Sequence, residues 1–273
     1  MSIPPENIED ILSDSLEIFG GEAVQDHRSI QYGPLKLGVA PKEGKANTLL
    51  ADHLFSPALL LAERIERGLI PTQGRRVVEL GAGCALPSLL MAALPNPPAL
   101  VVVTDYPDPI ILGNLMNNVV TNSPWFKTGC MVHCAGHEWG QDTAPIIDIS
   151  RAHEGPPGFD VVIMSDLLHF DSSHEVLLAS LASLLARSNS ARVYVAAGKY
   201  TSHTVCNNFL RLGEETGIIW KELITDPVDE RADAWLGAME VIGLDKAQLG
   251  VRKNMCRQWV GQWAPTHLTL ASE

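Results

Sequence analysis

The sequence predicts a doubly wound α/β fold: a seven-stranded, mostly parallel sheet with helices on both faces and an N-terminal extension. Three observations predict it. From Gly74 onward, short apolar runs alternate with segments of helical period. The runs are continuous in polarity, as in strands buried on both faces. Of the 273 residues, 46% are hydrophobic and 19% charged, enough to bury one large core.

Residues 1–46 form the extension that packs on the core. Pro4, Pro5, Gly20, Gly21, Gly33 and Pro34 punctuate it. Ile8 to Phe19 reads as a short helix, and Ile30 to Val39 alternates loosely, as paired strands do. Residues 47–273 form the domain proper. From Asn47 to Gly68 the apolar residues Leu49, Leu50, Leu54, Leu59, Leu60, Leu61 and Ile65 recur near a 3.6 period. Pro57 opens a new helix, where its missing N–H costs little, and Gly68 ends it. Strands follow at Arg76 to Leu80, Leu100 to Thr104, Cys130 to Ala135, Phe159 to Ser165 and Ala191 to Ala197. Helices lie between and after them, at Leu86 to Leu94, Pro109 to Val120, His174 to Arg187 and Thr204 to Gly217. Ile218 to Thr225 and Asn254 to Trp263 close the sheet as an antiparallel pair. Right-handed crossovers make the arrangement doubly wound. Gly136 to Gly158 reads as a loop, because glycines and prolines interrupt every pattern there. Pro227 to Gly250 reads as an inserted helix and loop.

The formal net charge is -12 and the sequence pI about 5.2. Lys and Arg are scattered, with Arg75-Arg76 the densest pair near the core, so a phosphate backbone would be repelled and nucleic acid is a poor partner. A basic protein, a peptide or a small amine is penalised less. No basic stretch precedes an apolar run at the N-terminus, and the longest apolar run, near Phe55 to Ala62, is too short to span a bilayer. These features lead to the expectation of a cytoplasmic protein without a membrane partner. The five cysteines read as buried thiols in a reducing compartment; Cys130 and Cys134 share one strand rather than a zinc knuckle.

Glu79-Leu80-Gly81-Ala82-Gly83 directly follows the first strand of the repeat and precedes a helix. Glycines there let the backbone turn sharply and approach a ligand at the carboxyl edge of the sheet. The dinucleotide pattern needs a third glycine where Leu86 stands, so the fit to NAD is poor. An acidic residue two before the first glycine, with only two glycines, fits nucleoside-binding methyltransferases. The next strand ends in Asp105, where a carboxylate can accept hydrogen bonds from both hydroxyls of a ribose. A turn or helix-capping aspartate before Pro107 is the plainer alternative. Taken together, the two features point to an adenosine-type ligand.

The run Val77-Val78-Glu79-Leu80-Gly81-Ala82-Gly83-Cys84-Ala85-Leu86-Pro87-Ser88 resembles the first motif of the family-16 (lysine-type) class I methyltransferases. So does Val103-Thr104-Asp105-Tyr106-Pro107-Asp108, with Asn114, Asn118 and Asn122 on the next helix. Gly136-His137-Glu138-Trp139-Gly140 is similar to the family's Trp-Gly after the third strand, and Ser165-Asp166-Leu167-Leu168, followed by Ser173-His174 and Leu177-Leu178, to its segment after the fourth. Within the family the chain is most similar to the fungal branch of nicotinamide N-methyltransferase-like proteins, which includes methyltransferases of translation elongation factor 1A. The resemblance covers about residues 47–200.

What the resemblance implies is a Rossmann-like S-adenosyl-L-methionine-dependent methyltransferase. Glu79 would be among the cofactor-binding residues, Gly81, Ala82 and Gly83 would contact the carboxypropyl and ribose part of the cofactor, and Asp105 would hold the ribose hydroxyls. Tyr106 and Trp139 would flank the adenine, with Ser165 beneath the cofactor. Asp166 would begin the acidic motif that orients the acceptor. Plainer readings remain beside these: Trp139 as core filling, Asp166 as a helix cap. Two positions depart from the family. His169 stands where it has Phe or Tyr three residues after the acid, with Phe170 next. Phe55 stands where it has a tryptophan beside the cofactor.

Methyl transfer from a sulfonium is an in-line displacement, so the protein mainly aligns the acceptor and removes water. Asp166 can orient an ammonium group, and His169 or Asp166 can take its proton; these are the candidate catalytic residues. No ligand cluster such as His-x-x-x-His occurs, and no metal is expected. The leading expectation is N-methylation of a protein lysine or N-terminal amine. A small-molecule N- or O-methyltransferase, nicotinamide-like or of a secondary metabolite, is the alternative. A methyltransferase-like protein that only binds is the third. Acceptor identity and oligomeric state stay open.

Overall fold

The computed structural model describes residues 29–51, 53–223 and 234–268. The expected helix at Ile8 to Phe19 lies outside them.

The described chain begins with a hairpin, β1 (Ser29–Tyr32) and β2 (Leu35–Gly38), and a short helix α1 (Gly44–Thr48). Then come α2 (Ser56–Glu66), β3 (Arg76–Leu80), α3 (Leu86–Ala93), β4 (Leu100–Asp105), α4 (Pro109–Asn122) and β5 (Met131–Gly136). The second half runs α5 (Ala144–Arg151), β6 (Val161–Ser165), α6 (His174–Leu184), β7 (Arg192–Gly198), α7 (His203–Glu215), β8 (Ile218–Glu222), α8 (Lys246–Asn254) and β9 (Cys256–Trp263). The seven-stranded sheet has the order β5-β4-β3-β6-β7-β9-β8. Its first five strands are parallel, and β9 pairs antiparallel with both β7 and β8. This is the doubly wound, seven-stranded α/β class that the sequence predicts.

Every residue of β3 and β4 is buried, which is why these runs are continuous rather than alternating. The period of two instead decides which face each residue serves. Val77, Val101, Val103 and Ile163 pack under α2, α3 and α4; Val78, Leu80, Val102 and Met164 pack under α6 and α7.

The hairpin is docked by three asparagines. Asn118 exchanges two hydrogen bonds with the main chain of Gly38, at 2.7 and 2.8 Å, and Asn122 does the same with Lys36, both at 2.8 Å. Asn114 adds a bond to the Gly38 carbonyl at 3.0 Å. Four helical residues advance about 6 Å and two strand residues about 6.6 Å, so side-chain amides at every fourth position can stand in for a neighbouring strand. On α2, Glu63 accepts from Leu236 N–H and Lys253, and Glu66 from Ala238 N–H, Met239 N–H and the Tyr32 hydroxyl of the hairpin.

Three expectations are corrected. Asn47 to Gly68 is not continuously helical: α1 ends at Thr48, and the described residues 49–51 and 53–55 are irregular before α2 begins at Ser56. Leu50 breaks the helix with φ 57°. Gly136 to Gly158 is not all loop, since it contains α5; Pro145 sits in that helix's first turn, where proline starts rather than stops a helix. Of the five free thiols only Cys84 and Cys206 are buried, the other three being half-buried. Among the described residues no helix is long and apolar enough to cross a membrane.

Candidate active site

The sheet order reverses beside β3: β4 and β5 lie on one side of it, β6 and β7 on the other. Loops leaving β3 and β6 therefore part, the usual place for a ligand in an open α/β sheet. A cavity of about 240 Å³ opens there, lined by the ends of β4 and β6, the loops after β3, β5 and β6, and residues 49–51 and 53–55.

The glycine loop after β3 lies between the ends of β4 and β6. It turns through Gly81 (φ 57°), Gly83 (φ 55°) and Ala85 (φ 61°). A Cβ on Gly81 would lie 2.7 Å from Leu167 and 3.2 Å from Trp139, so this glycine lets the loop pack on the far wall. A Cβ on Gly83 would meet nothing within 4 Å; there the left-handed backbone alone calls for glycine, and the open space faces the cavity. Gly83 N–H donates to Asp105 Oδ2 and Tyr106 N–H to Oδ1, each at 2.7 Å. Each oxygen keeps a lone pair for a ligand. Burial pushes the Asp105 carboxyl up from its ordinary range, and the two N–H bonds oppose that.

Glu79 lies behind the loop, fully buried and outside the cavity lining. Its Oε2 accepts from Ser88 N–H at 3.2 Å, in the first turn of α3, whose N-cap Ala85 has no side-chain acceptor. Burial pushes its carboxyl up to about 8. It can reach a ligand only by supporting the loop.

Tyr106 packs against Ala40, Ala46, Ala51 and Ile111, with Lys45 Nζ 5.5 Å from its ring centre. Trp139 meets Phe170 edge to face at 5.6 Å. Its loop is pinned to α6 by Ser180, whose hydroxyl pairs with His137 Nε2 at 2.9 Å and accepts from Gly140 N–H at 2.8 Å. Ser165 ends β6 on the cavity floor.

Across β3 from Asp105 stand Asp166 and His169. Asp166 is 4% exposed and has a left-handed backbone, φ 61°. Its Oδ1 accepts from Gly198 N–H at 3.1 Å and its Oδ2 from the Tyr200 hydroxyl. The His169 ring leans on Phe170, centre to centre 4.0 Å, and neither ring nitrogen has a hydrogen bond of ordinary geometry. Burial pulls the imidazole down to about 4, against a weak opposing pull from the Asp166 main chain.

The structure thus gathers Gly81, Ala82, Gly83, Asp105, Tyr106, Trp139, Ser165, Asp166 and His169 around one cavity and leaves Glu79 behind it. Phe55 lines it as well. Sequence reasoning missed Leu49, Leu50, His53 and Leu54, which form the near wall, and Phe170, Ser173 and Val176 on the far side. The residue after the histidine carried a signal, since Phe170 supplies the ring the family places one position earlier.

Residues 43–215 match the model of a family described as lysine methyltransferase. The protein N-terminal and lysine N-methyltransferase of Gibberella zeae is 33% identical over 172 residues, covering 60% of this chain and 61% of that protein. Its namesake in Schizosaccharomyces pombe is 28% identical over 158 residues, covering 58% and 60%. The chain thus spans about 60% of the length of these two relatives. Among solved structures, a methyltransferase from Pyrococcus furiosus overlays 74% of this chain and 81% of its own with a TM-score of 0.46 at 12% identity.

Proposed function

Because the chain belongs to the lysine methyltransferase family, we propose that it transfers a methyl group from S-adenosyl-L-methionine to an N-terminal or lysine amine of a protein. The observation that carries this reading is the single cavity that gathers Asp105 and open Gly83 with Asp166 and His169. The relatives' names supply the class of acceptor.

The residues present fit the cofactor. Asp105 retains two lone pairs toward the cavity for a pair of vicinal hydroxyls, and the bare Cα of Gly83 leaves room for a ligand against the loop. When bound, the cofactor supplies a sulfonium methyl, an electrophile with a good leaving group. Asp166 orients the acceptor nitrogen. Leu167, Phe170 and Trp139 close the site with apolar surface, which keeps water away from the reacting atoms. His169, drawn down to about 4, stays neutral. It is too weak a base to deprotonate an ammonium group of pKa about 8–10, so it serves as wall and hydrogen-bond partner.

Two measurements test this. Calorimetry with S-adenosylhomocysteine should show affinity of roughly micromolar, about −8 kcal/mol; no heat at tens of micromolar protein would sink the cofactor assignment. Tritiated cofactor added to cell extract with the enzyme should label protein. Label confined to small molecules would move the acceptor to the alternative class.

A further inference from the structure

We propose that Tyr200, outside the cavity lining, is a positioning residue for the acceptor: its phenol O–H holds the Asp166 carboxylate in the orientation that meets the acceptor amine. The proposal rests on the reading of Asp166 given above.

Asp166 adopts a left-handed backbone, which most L residues avoid and aspartate tolerates when its short side chain is hydrogen-bonded. Such a residue persists where its surroundings over-determine it, and the places where that happens are enriched in function. Here the surroundings are the end of β7. Asp166 N–H donates to the Ala196 carbonyl at 2.8 Å, Oδ1 accepts from Gly198 N–H, and Oδ2 from Tyr200. A capping aspartate would instead accept from N–H groups at the start of its own helix; α6 has Ser173 at that position.

The turn after β7 is shaped to deliver the phenol. Thr201 N–H donates to the Gly198 carbonyl at 3.0 Å, and Lys199 N–H to the Met255 carbonyl at 2.7 Å. The Tyr200 ring folds back over Gly198, where any Cβ would run into it. Both carboxylate oxygens are thus held by donors from the end of β7 and the turn after it, which fixes the plane of the carboxylate. Its orientation is therefore set before the acceptor arrives.

The test begins with the titration of Asp166, followed by ¹³C NMR of aspartate-labelled protein, and needs no acceptor. The Asp166 signal is the one missing from Asp166→Asn. Among the described residues, Cys206 on α7 is a further titratable group that feels the Asp166 charge, while the His169 ring meets only the Asp166 main chain, and Tyr200→Phe changes neither. Tyr200→Phe removes a donor to the charged form, so the Asp166 midpoint should rise by about one pH unit. Methyl transfer to a basic peptide with a free N-terminal amine and an internal lysine should fall about 10-fold in kcat/KM, with S-adenosylhomocysteine affinity unchanged. The double variant with Asp166→Asn should be no slower than Asp166→Asn alone. An unmoved midpoint overturns the proposal, and so does a double variant slowed by the product of the two single losses. A raised midpoint with undiminished transfer also overturns it, leaving the bond to the fold alone. If Asp166→Asn keeps the wild-type rate, the reading of Asp166 fails and Tyr200 falls with it, whereas cofactor calorimetry judges the methyltransferase reading separately. Tyr200→Leu, equally without a donor, repeats each measurement should the phenylalanine variant not fold.

Discussion

Asp105 and Asp166 invite comparison. Each directly ends or follows a parallel strand, each is buried, and each accepts an N–H from a glycine beyond the end of an adjacent strand or at it, Gly83 or Gly198. They differ in the second donor. Asp105 takes it from its neighbour's main chain, Tyr106 N–H; Asp166 takes it from a side chain, the Tyr200 hydroxyl. Asp166 also carries the left-handed backbone that Asp105 lacks. Main-chain donors survive almost any substitution, whereas a side-chain donor can be altered by one. On the proposed reading, the cofactor side is held by main-chain donors and the acceptor side partly by a side chain.

The comparison breaks most visibly at Asp166. Asp166→Asn keeps the shape and removes the charge; turnover should fall by about 10- to 1000-fold while S-adenosylhomocysteine binds as before. Full turnover, or a parallel loss of cofactor affinity, would erase the distinction between the two sides. Asp105→Ala should do the reverse. Removing both acceptors costs about 2 kcal/mol of cofactor affinity, roughly 30-fold. Calorimetry reads that loss, and circular dichroism should show the fold intact. Unaltered affinity would mean that Asp105 only ties Gly83 to Tyr106.

The parts of the cavity also differ in how far they could be read from the sequence. Gly81, Gly83 and Asp105 announce themselves because strand, turn and strand end are local patterns, and a buried parallel strand leaves a run such as Val101-Val102-Val103. Asp166 and His169 follow from the same logic two strands later. The near wall could not be read that way. Leu49, Leu50 and Leu54 keep a helical spacing, yet Leu50 adopts a left-handed φ, and what holds the segment is non-local: Ala40 N–H on the Ala51 carbonyl, and Ala46 and Ala51 against Ile111. Tyr200 was equally hidden, since its partner lies 34 residues earlier. The three asparagines of α4 were visible as residues, but not their task, because the main chain they hold lies about 80 residues away.

The smallest expected effect is at His169, and it decides whether the acceptor side contains a base. His169→Phe places at this position the ring that the family carries. The imidazole is drawn down to about 4 by burial, so between pH 5 and 8 it is neutral in the folded protein. A proton acceptor working in that range would give the pH–rate profile an acid limb that disappears with the histidine. The expected outcome is an acid limb with the same midpoint in both proteins, and a loss of turnover far below the 100-fold typical of a lost general base. Stability gives an independent check. A histidine with a depressed folded pKa contributes stability above its unfolded value of about 6.5, and that contribution is lost as pH falls through the folded value. Relative to His169→Phe, the wild type should therefore lose on the order of 2 kcal/mol between pH 6.5 and 4, a figure already reduced for the ring's partial exposure. Denaturant unfolding at the two pH values measures it. An equal pH dependence in both proteins would place the His169 ring in water rather than against Phe170, and an acid limb lost with the histidine would make it the proton acceptor that the geometry denies.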